Sequence, residues 1–151
     1  MSNTKSKVAN ALIGIAGVHF VVSELSLRGL IALPTIRNTA GIDVIVSSPD
    51  GSWHANLQVK TSQRKVASWP VGKRYDQWRV KDSYYIFVRF LQNESRFEAF
   101  LESADIVAQQ VQAYMQTQVR KDWPFWPLPK DDEERERVHR QWCEFGQGHS
   151  A

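Results

Sequence analysis

Residues Gly41–Ser62 read GIDVIVSSPDGSWHANLQVKTS, and this stretch decides the fold. Two runs suited to β-strands, GIDVIV and LQVKTS, lie on either side of the turn sequence PDG. Pro, Asp and Gly favour tight turns, so the stretch predicts a β-hairpin. Antiparallel pairing would bring Asp43, at the start of the first strand, close to Lys60, near the end of the second.

Three polar side chains would meet at this edge of the predicted sheet. Gln58 and Lys60 are two residues apart, so they share one face of their strand. With Asp43 they place an acid, an amide oxygen and an ammonium group together. Such a group can hold a divalent metal ion and a phosphate. A simple structural ion pair between Asp43 and Lys60 is an alternative interpretation of the same residues.

The pattern Asp43…Gln58-Val59-Lys60 resembles the active site of the PD-(D/E)XK nuclease superfamily, in the variant in which Gln replaces the second acid. This superfamily includes restriction endonucleases and Holliday-junction resolvases. The resemblance extends over residues 10–90. It implies a metal-dependent endonuclease that hydrolyses phosphodiester bonds in nucleic acid, with DNA the favoured substrate. It also implies a bound Mg²⁺ or Mn²⁺ ion.

The resemblance also suggests a role for each residue of the site. Asp43 and Gln58 would be metal ligands, with the Val59 carbonyl as a further ligand. Lys60 would assist the attacking water or stabilise charge in the transition state. In related domains a carboxylate on the first helix points into the metal site, and Glu24 is the one acid on that helix here. A solvent-facing role for Glu24 is the alternative.

The segment from Lys60 to Arg89 carries eight basic residues against two acidic ones. This local excess suits a polyanionic partner, although a solvated loop with incidental charge is the alternative. Aromatic residues interleaved with the basic ones could stack on unpaired bases or anchor the loop to its own core. The predicted nucleic-acid-binding residues are Thr61, Ser62, Arg64, Lys65, Lys73, Arg74 and Arg79.

Composition and the N-terminal sequence bear on the class of protein. Hydrophobic residues make up 42% of the 151 residues and charged residues 23%, which is typical of a globular chain. The lone cysteine, Cys143, excludes an intrachain disulfide. The apolar run Val8–Val22 has the shape of a signal peptide, but no small-x-small cleavage site follows it. We therefore expect a buried helix in a cytoplasmic protein with no membrane partner.

The periodicity predicts an α/β (α+β) fold, and the resemblance implies that its core is restriction-endonuclease-like. A mixed central sheet would be flanked by helices and followed by a C-terminal helical extension. The predicted elements are a helix over 6–28, an interrupted edge strand over 30–38, the hairpin, strands over 84–91 and 96–101, and helices over 103–119 and 131–145.

We expect a nuclease-like domain over residues 1–120. Residues 121–151 would form a Trp/Pro-rich strap and a last helix with an apolar stripe of Val138, Trp142 and Phe145. This extension would pack on the same domain or on a second subunit of a homodimer. Two other functions remain open. Gln58 and the placement of Glu24 favour an inactive nucleic-acid-binding domain, and the strap with its charged helix favours a dimerisation or interaction module.

Overall fold

The computed structural model describes residues 8–36, 41–119 and 123–150. Within these ranges the chain forms three helices and seven strands. They are α1 (Asn10–Leu27), β1 (Ile31–Pro34), β2 (Val44–Ser47), β3 (His54–Ser62), β4 (Ser68–Pro70), β5 (Ser83–Leu91), β6 (Arg96–Ser103), α2 (Ala104–Thr117), β7 (Phe125–Pro127) and α3 (Asp132–Glu144). The predicted helix start at Ser6 and the predicted strand positions 37–38 lie outside the described residues.

The central sheet has five strands in the order β1-β2-β3-β5-β6. β3 and β5 are parallel and the other neighbours are antiparallel, which confirms the predicted mixed sheet flanked by helices. The predicted hairpin is β2–β3. Its turn is fixed by Asp50, whose Oδ1 accepts hydrogen bonds from the Ser48 hydroxyl at 2.7 Å and the Ser52 backbone N–H at 3.0 Å.

The two faces of the sheet are covered by different elements. α1 and the end of α3 pack on one face, where Val21, Leu57 and Trp142 belong to one apolar cluster. α2 packs on the other face together with the small sheet formed by β4 and β7. α1 approaches β3 closely at Gly17, where an added Cβ would lie 1.8 Å from Thr61 Oγ1. A side chain at position 17 would therefore force the helix away from the strand.

Helix α1 is buried over only part of its length. Gly17, Val21 and Leu25 are buried, whereas Leu12 and Ile15 in the first half are 58% and 51% exposed. The prediction of a buried helix therefore holds only for the part of α1 that contains Gly17, Val21 and Leu25. By length and composition α1 could cross a membrane, with a mean hydropathy of 1.5 over its 18 residues. Core helices and signal sequences satisfy the same criterion.

The small sheet was not among the elements predicted from the sequence. β4 pairs antiparallel with β7, with Trp69 opposite Trp126. The Trp126 ring stacks on Phe87 of the central sheet at 3.9 Å between centroids. Each strand has only three residues and ends in proline, so neither has a readable periodicity. The strap is thereby held on the same domain as the central sheet.

Helix α3 lies along the outer edge of β6. The Gln141 side chain donates to the Leu101 carbonyl at 3.0 Å, and His139 Nδ1 lies 2.9 Å from the Ala99 carbonyl. The predicted stripe of Val138, Trp142 and Phe145 is buried, as expected. These contacts cover an edge strand that would otherwise present unpaired backbone groups.

Trp142→Ala should lower the free energy of unfolding by about 3 kcal/mol or more, because it leaves a cavity beside Phe20 and the Arg28 guanidinium. Urea denaturation measures the loss. Trp123 is 50% exposed and provides a matched control, so Trp123→Ala should change stability by less than about 0.5 kcal/mol. Equal losses for the two variants would show that α3 is not part of the core.

Candidate active site

Asp43 directly precedes β2 at the open end of the hairpin. Its backbone N–H donates to the Leu57 carbonyl at 2.8 Å, which keeps this residue tied to β3. Its side chain reaches further along the strand, where Oδ2 accepts a hydrogen bond from the backbone N–H of Val59 at 2.7 Å. The pairing of β2 with β3 ends at Leu57, so the Asp43 carboxylate continues the hydrogen bonding beyond the strand.

The Val59 carbonyl oxygen points to the same side of β3 as its N–H, because both groups of one strand residue point the same way. Since the Val59 N–H donates to Asp43, the Val59 carbonyl also points to the space next to Asp43, just before the start of β2. The Val59 side chain packs into the apolar cluster beneath α1. Two oxygen-bearing groups, the Asp43 carboxylate and the Val59 carbonyl, are therefore directed to one place at the end of the hairpin.

Gln58 and Lys60 lie on the face of β3 opposite to Val59. In the parallel register they pair with Tyr85 and Phe87 of β5, whose rings belong to the cluster beneath α2. Both side chains line a cavity of about 490 Å³. The hairpin therefore places the amide and the ammonium group on one face.

The charges of Asp43 and Lys60 interact across this part of the sheet. Burial raises the pKa of Asp43, and the Val59 hydrogen bond and the attraction of Lys60 only partly offset that rise. Burial lowers the pKa of Lys60, and the attraction of Asp43 opposes this. For each group, the effect of burial on the pKa exceeds the opposing effect of its charged partner. Such perturbed pKa values are common at functional sites.

The alternative of a structural ion pair is not supported by the geometry. The described residues contain seven close ion pairs, and Asp43–Lys60 is not among them. The Val59 hydrogen bond uses Oδ2 of Asp43, and within the described chain its Oδ1 receives none. The carboxylate therefore retains the capacity to bind a further partner.

A second cavity, of about 480 Å³, lies between α1 and the end of the hairpin. Asp43, Thr35 and His19 line it, and Gly14 leaves space on the helix side. Among the described residues, the two cavities share no lining residue: Asp43 and Val59 line this one, and Gln58 and Lys60 line the other. The expectation that all three polar side chains meet in one place is therefore corrected, because Gln58 and Lys60 point to the opposite face of β3 from Val59. Sequence reasoning missed His19, although it lies four residues after Ile15 on a helix face that lines the cavity.

Glu24 has a different environment from the one predicted. Its carboxylate lies 3.6 Å from the Arg28 guanidinium. Arg28 also donates to the Trp142 carbonyl at 2.5 Å and lies over the Trp142 ring. Glu24 is not among the residues that line the Asp43 cavity, where His19 is the ionisable side chain from α1. The structure therefore does not bring Glu24 together with Asp43.

Several residues of the predicted nucleic-acid surface are buried or have partners within the protein. Thr61 Oγ1 is buried against Gly17 and has no hydrogen-bond partner among the described residues. Ser62 Oγ accepts from the backbone of its own loop. Arg79 donates to Asp105 at 2.8 Å through Nε, and the buried Arg89 pairs with Glu98 at 2.7 Å. The local excess of positive charge is therefore smaller than the count of residues indicated.

Four other basic residues of the predicted surface are exposed. Lys73 and Arg74 are exposed and line the same cavity as Lys60. Arg64 and Lys65 are exposed at the end of β3. Of these predicted residues, Lys73 and Arg74 therefore lie beside Lys60 at the candidate site, whereas Arg64 and Lys65 lie beyond the end of β3.

The oxygens around Asp43 fit a hard divalent cation. Within the described residues no group of three His, Cys, Asp or Glu side chains could hold a metal ion. Mg²⁺ nevertheless keeps several waters and often uses only one or two protein carboxylates. The Asp43 carboxylate and the Val59 carbonyl match that requirement, whereas Gln58 lines the other cavity. A single negative charge predicts weak binding.

Comparison with known proteins identifies a similar fold. No protein-family model matches the sequence, and no curated protein matches it. Among solved structures, the bacterial homing endonuclease I-Ssp6803I superimposes with a TM-score of 0.53, covering 93% of this chain and 94% of the endonuclease chain. The two sequences are 13% identical. The likeness establishes a shared fold over almost the whole length of both chains.

Asp43→Asn should raise the free energy of unfolding at neutral pH in the absence of metal. The folded-state pKa of Asp43 lies above its ordinary value of 3.8. In wild type, the Asp43 carboxyl group therefore contributes its full stabilisation below pH 3.8, where it is protonated. This contribution to the free energy of unfolding is lost as the pH rises through the folded-state pKa. Asn keeps an acceptor for Val59 but carries no charge.

Urea denaturation of both proteins across the acidic and neutral range measures this effect. The difference in stability should vanish at low pH and grow toward neutrality. The exposed Asp76 provides a control for the loss of one negative charge, through Asp76→Asn. An Asp43→Asn variant that is less stable than wild type at every pH would mean that the carboxylate serves the fold.

Proposed function

We propose that this protein is a metal-dependent nuclease that hydrolyses phosphodiester bonds, with DNA the favoured substrate. One observation carries the proposal: Asp43 and Lys60 are both desolvated and attract each other without forming a close ion pair. Such an arrangement suits a site in which a cation and a phosphate complete the charge balance. The shared fold with an endonuclease supports the same reading.

Each side chain has a task that follows from its chemistry. Asp43 would hold the cation, together with the Val59 carbonyl and with Gln58 as an uncharged oxygen donor. Lys60 would orient the attacking water or stabilise negative charge on the phosphate, because a preorganised ammonium group acts strongly in a desolvated site. A bound Mg²⁺ or Mn²⁺ would supply Lewis-acid activation of the water and the phosphate.

The polar backbone around Asp43 orients its carboxylate. The hydrogen bond from Val59 fixes Oδ2, and Thr35 fixes the preceding loop through a backbone N–H donated to the Asp43 carbonyl at 2.9 Å. The first contact comes from β3, and the second comes from the residue that directly follows β1. A ligand tied to strands in this way is positioned more rigidly than one carried by a free loop.

A second candidate function is nucleic-acid binding without cleavage. The observation in its favour is the single carboxylate of the site, since no cluster of three metal-binding side chains occurs within the described residues. The exposed Lys73 and Arg74 would support binding in either case. The two candidates differ in whether the metal ion supports hydrolysis.

A cleavage assay decides between them. Plasmid DNA, linear duplex, single-stranded DNA and RNA are incubated with the protein in Mg²⁺, in Mn²⁺ and in excess chelator. We expect metal-dependent cleavage that falls about 100-fold or more in Asp43→Asn and in Lys60→Met. Gln58→Ala should raise the metal concentration required. The exposed Lys130 provides a matched control, because Lys130→Met removes one ammonium group far along the sequence from the site.

The outcomes separate the alternatives. Binding without cleavage in either metal would favour the second candidate. Cleavage that is unaffected by Asp43→Asn would contradict the proposed site. Glu24→Gln addresses the remaining sequence prediction, and its ion pair with Arg28 predicts an unchanged metal requirement.

A further inference from the structure

The cavity beside Gln58 and Lys60 has features that phosphodiester hydrolysis alone does not require. Its volume of about 490 Å³ falls within the range of small-molecule sites. Lys60, Lys73 and Arg74 line it, and its lining contains no carboxylate. The cavity therefore attracts an anion, and it is large enough to hold more than a phosphate group.

The floor of this cavity includes a buried phenol. Tyr85 is 1% exposed as a residue, and its side chain lines this cavity. Burial raises the pKa of Tyr85 to about 12, so the group remains a neutral donor. A neutral phenol that lines a cavity can donate a hydrogen bond to a polar edge of a ligand there.

The wall of the cavity is aromatic. The Trp78 indole meets the Tyr85 ring edge to face, with 5.0 Å between centroids. On its other side it approaches Gly41, where an added Cβ would lie 2.8 Å from Trp78 Cδ1. The ring is thereby held in place at the mouth of a polar cavity, and its Nε1 donates to no described residue. Aromatic rings in this setting accept nucleobases.

We propose that this cavity holds one unpaired nucleotide adjacent to the phosphate at the Asp43–Lys60 site. The phosphate would lie on Lys60, Lys73 and Arg74, and the base would lie against Trp78 with a polar edge on the Tyr85 hydroxyl. This inference rests on the proposed function and specifies its substrate. A base within a stacked duplex cannot enter a cavity of this size, so it must leave the stack.

The substrate class follows from the cost of unstacking. Removing a base from a duplex requires energy, and this cost is lowest where the base is mismatched or already unpaired. The protein should therefore prefer nucleic acid that is single-stranded or distorted next to the cleaved bond. Lys60 interacts with both Asp43 and this cavity, so the reacting phosphate and the unpaired nucleotide would be neighbours.

The test is the binding of deoxyadenosine 5′-monophosphate and of inorganic phosphate to the full chain, without metal, by calorimetry. The mononucleotide should bind at least about tenfold more tightly than phosphate. Tyr85→Phe removes a single oxygen and should weaken mononucleotide binding about three- to tenfold without weakening phosphate binding. Trp78→Ala should reduce mononucleotide affinity to that of phosphate.

Trp123→Ala is the matched control, because Trp123 lies 6.0 Å from the Lys73 ammonium but does not line the cavity. It should leave mononucleotide affinity unchanged. Equal affinities for phosphate and mononucleotide, or no effect of Tyr85→Phe in a folded protein, would overturn the inference. If either result is obtained but the protein still cleaves nucleic acid, the proposal of a nuclease stands. If the protein neither cleaves nucleic acid nor binds the mononucleotide more tightly than phosphate, both proposals are wrong.

Discussion

The hydrogen bond from the Val59 backbone to Asp43 Oδ2 is the contact on which the candidate site depends. It forms because the pairing of β2 with β3 stops at Val44 and Leu57, so the Asp43 side chain takes the place of a strand neighbour for Val59. This one contact fixes the carboxylate beside the Val59 carbonyl and close to Lys60. The acid is thereby positioned by the sheet rather than by a mobile loop.

Two different apolar layers make that geometry possible. α1 packs on one face of β3 through Gly17, and α2 with the β4–β7 sheet packs on the other through aromatic rings. Val59 faces the first layer while Gln58 and Lys60 face the second. Because the second layer does not cover the end of β3 fully, these polar side chains are left partly desolvated beside an open cavity.

The site has a cost in stability, which is a common feature of functional sites. Burial disfavours the charged forms of Asp43 and Lys60 more than their mutual attraction favours them. Elsewhere, the almost fully buried Glu102 is compensated by its ion pair with Arg137 at 2.9 Å. Among the described residues, the buried hydroxyl groups of Thr61 and Ser83 lack a hydrogen-bond partner.

The hairpin could be predicted because its signals are local: a turn sequence, two apolar runs and a spacing of two between Gln58 and Lys60. The Ser103 cap of α2 is local in the same sense, since its hydroxyl group accepts from the Ile106 backbone N–H. The β4–β7 sheet could not be predicted, since it joins two short segments far apart in sequence. Glu24 was misplaced for a related reason, because its partner Arg28 is held by Trp142 on the last helix.

Anomalous diffraction from crystals soaked in Mn²⁺ would locate the proposed metal ion. We expect a manganese peak between the Asp43 carboxylate and the Val59 carbonyl. The peak should disappear in Asp43→Asn crystals grown in the same form. A peak elsewhere on the protein, or none at Asp43 at saturating Mn²⁺, would contradict the assignment of this site.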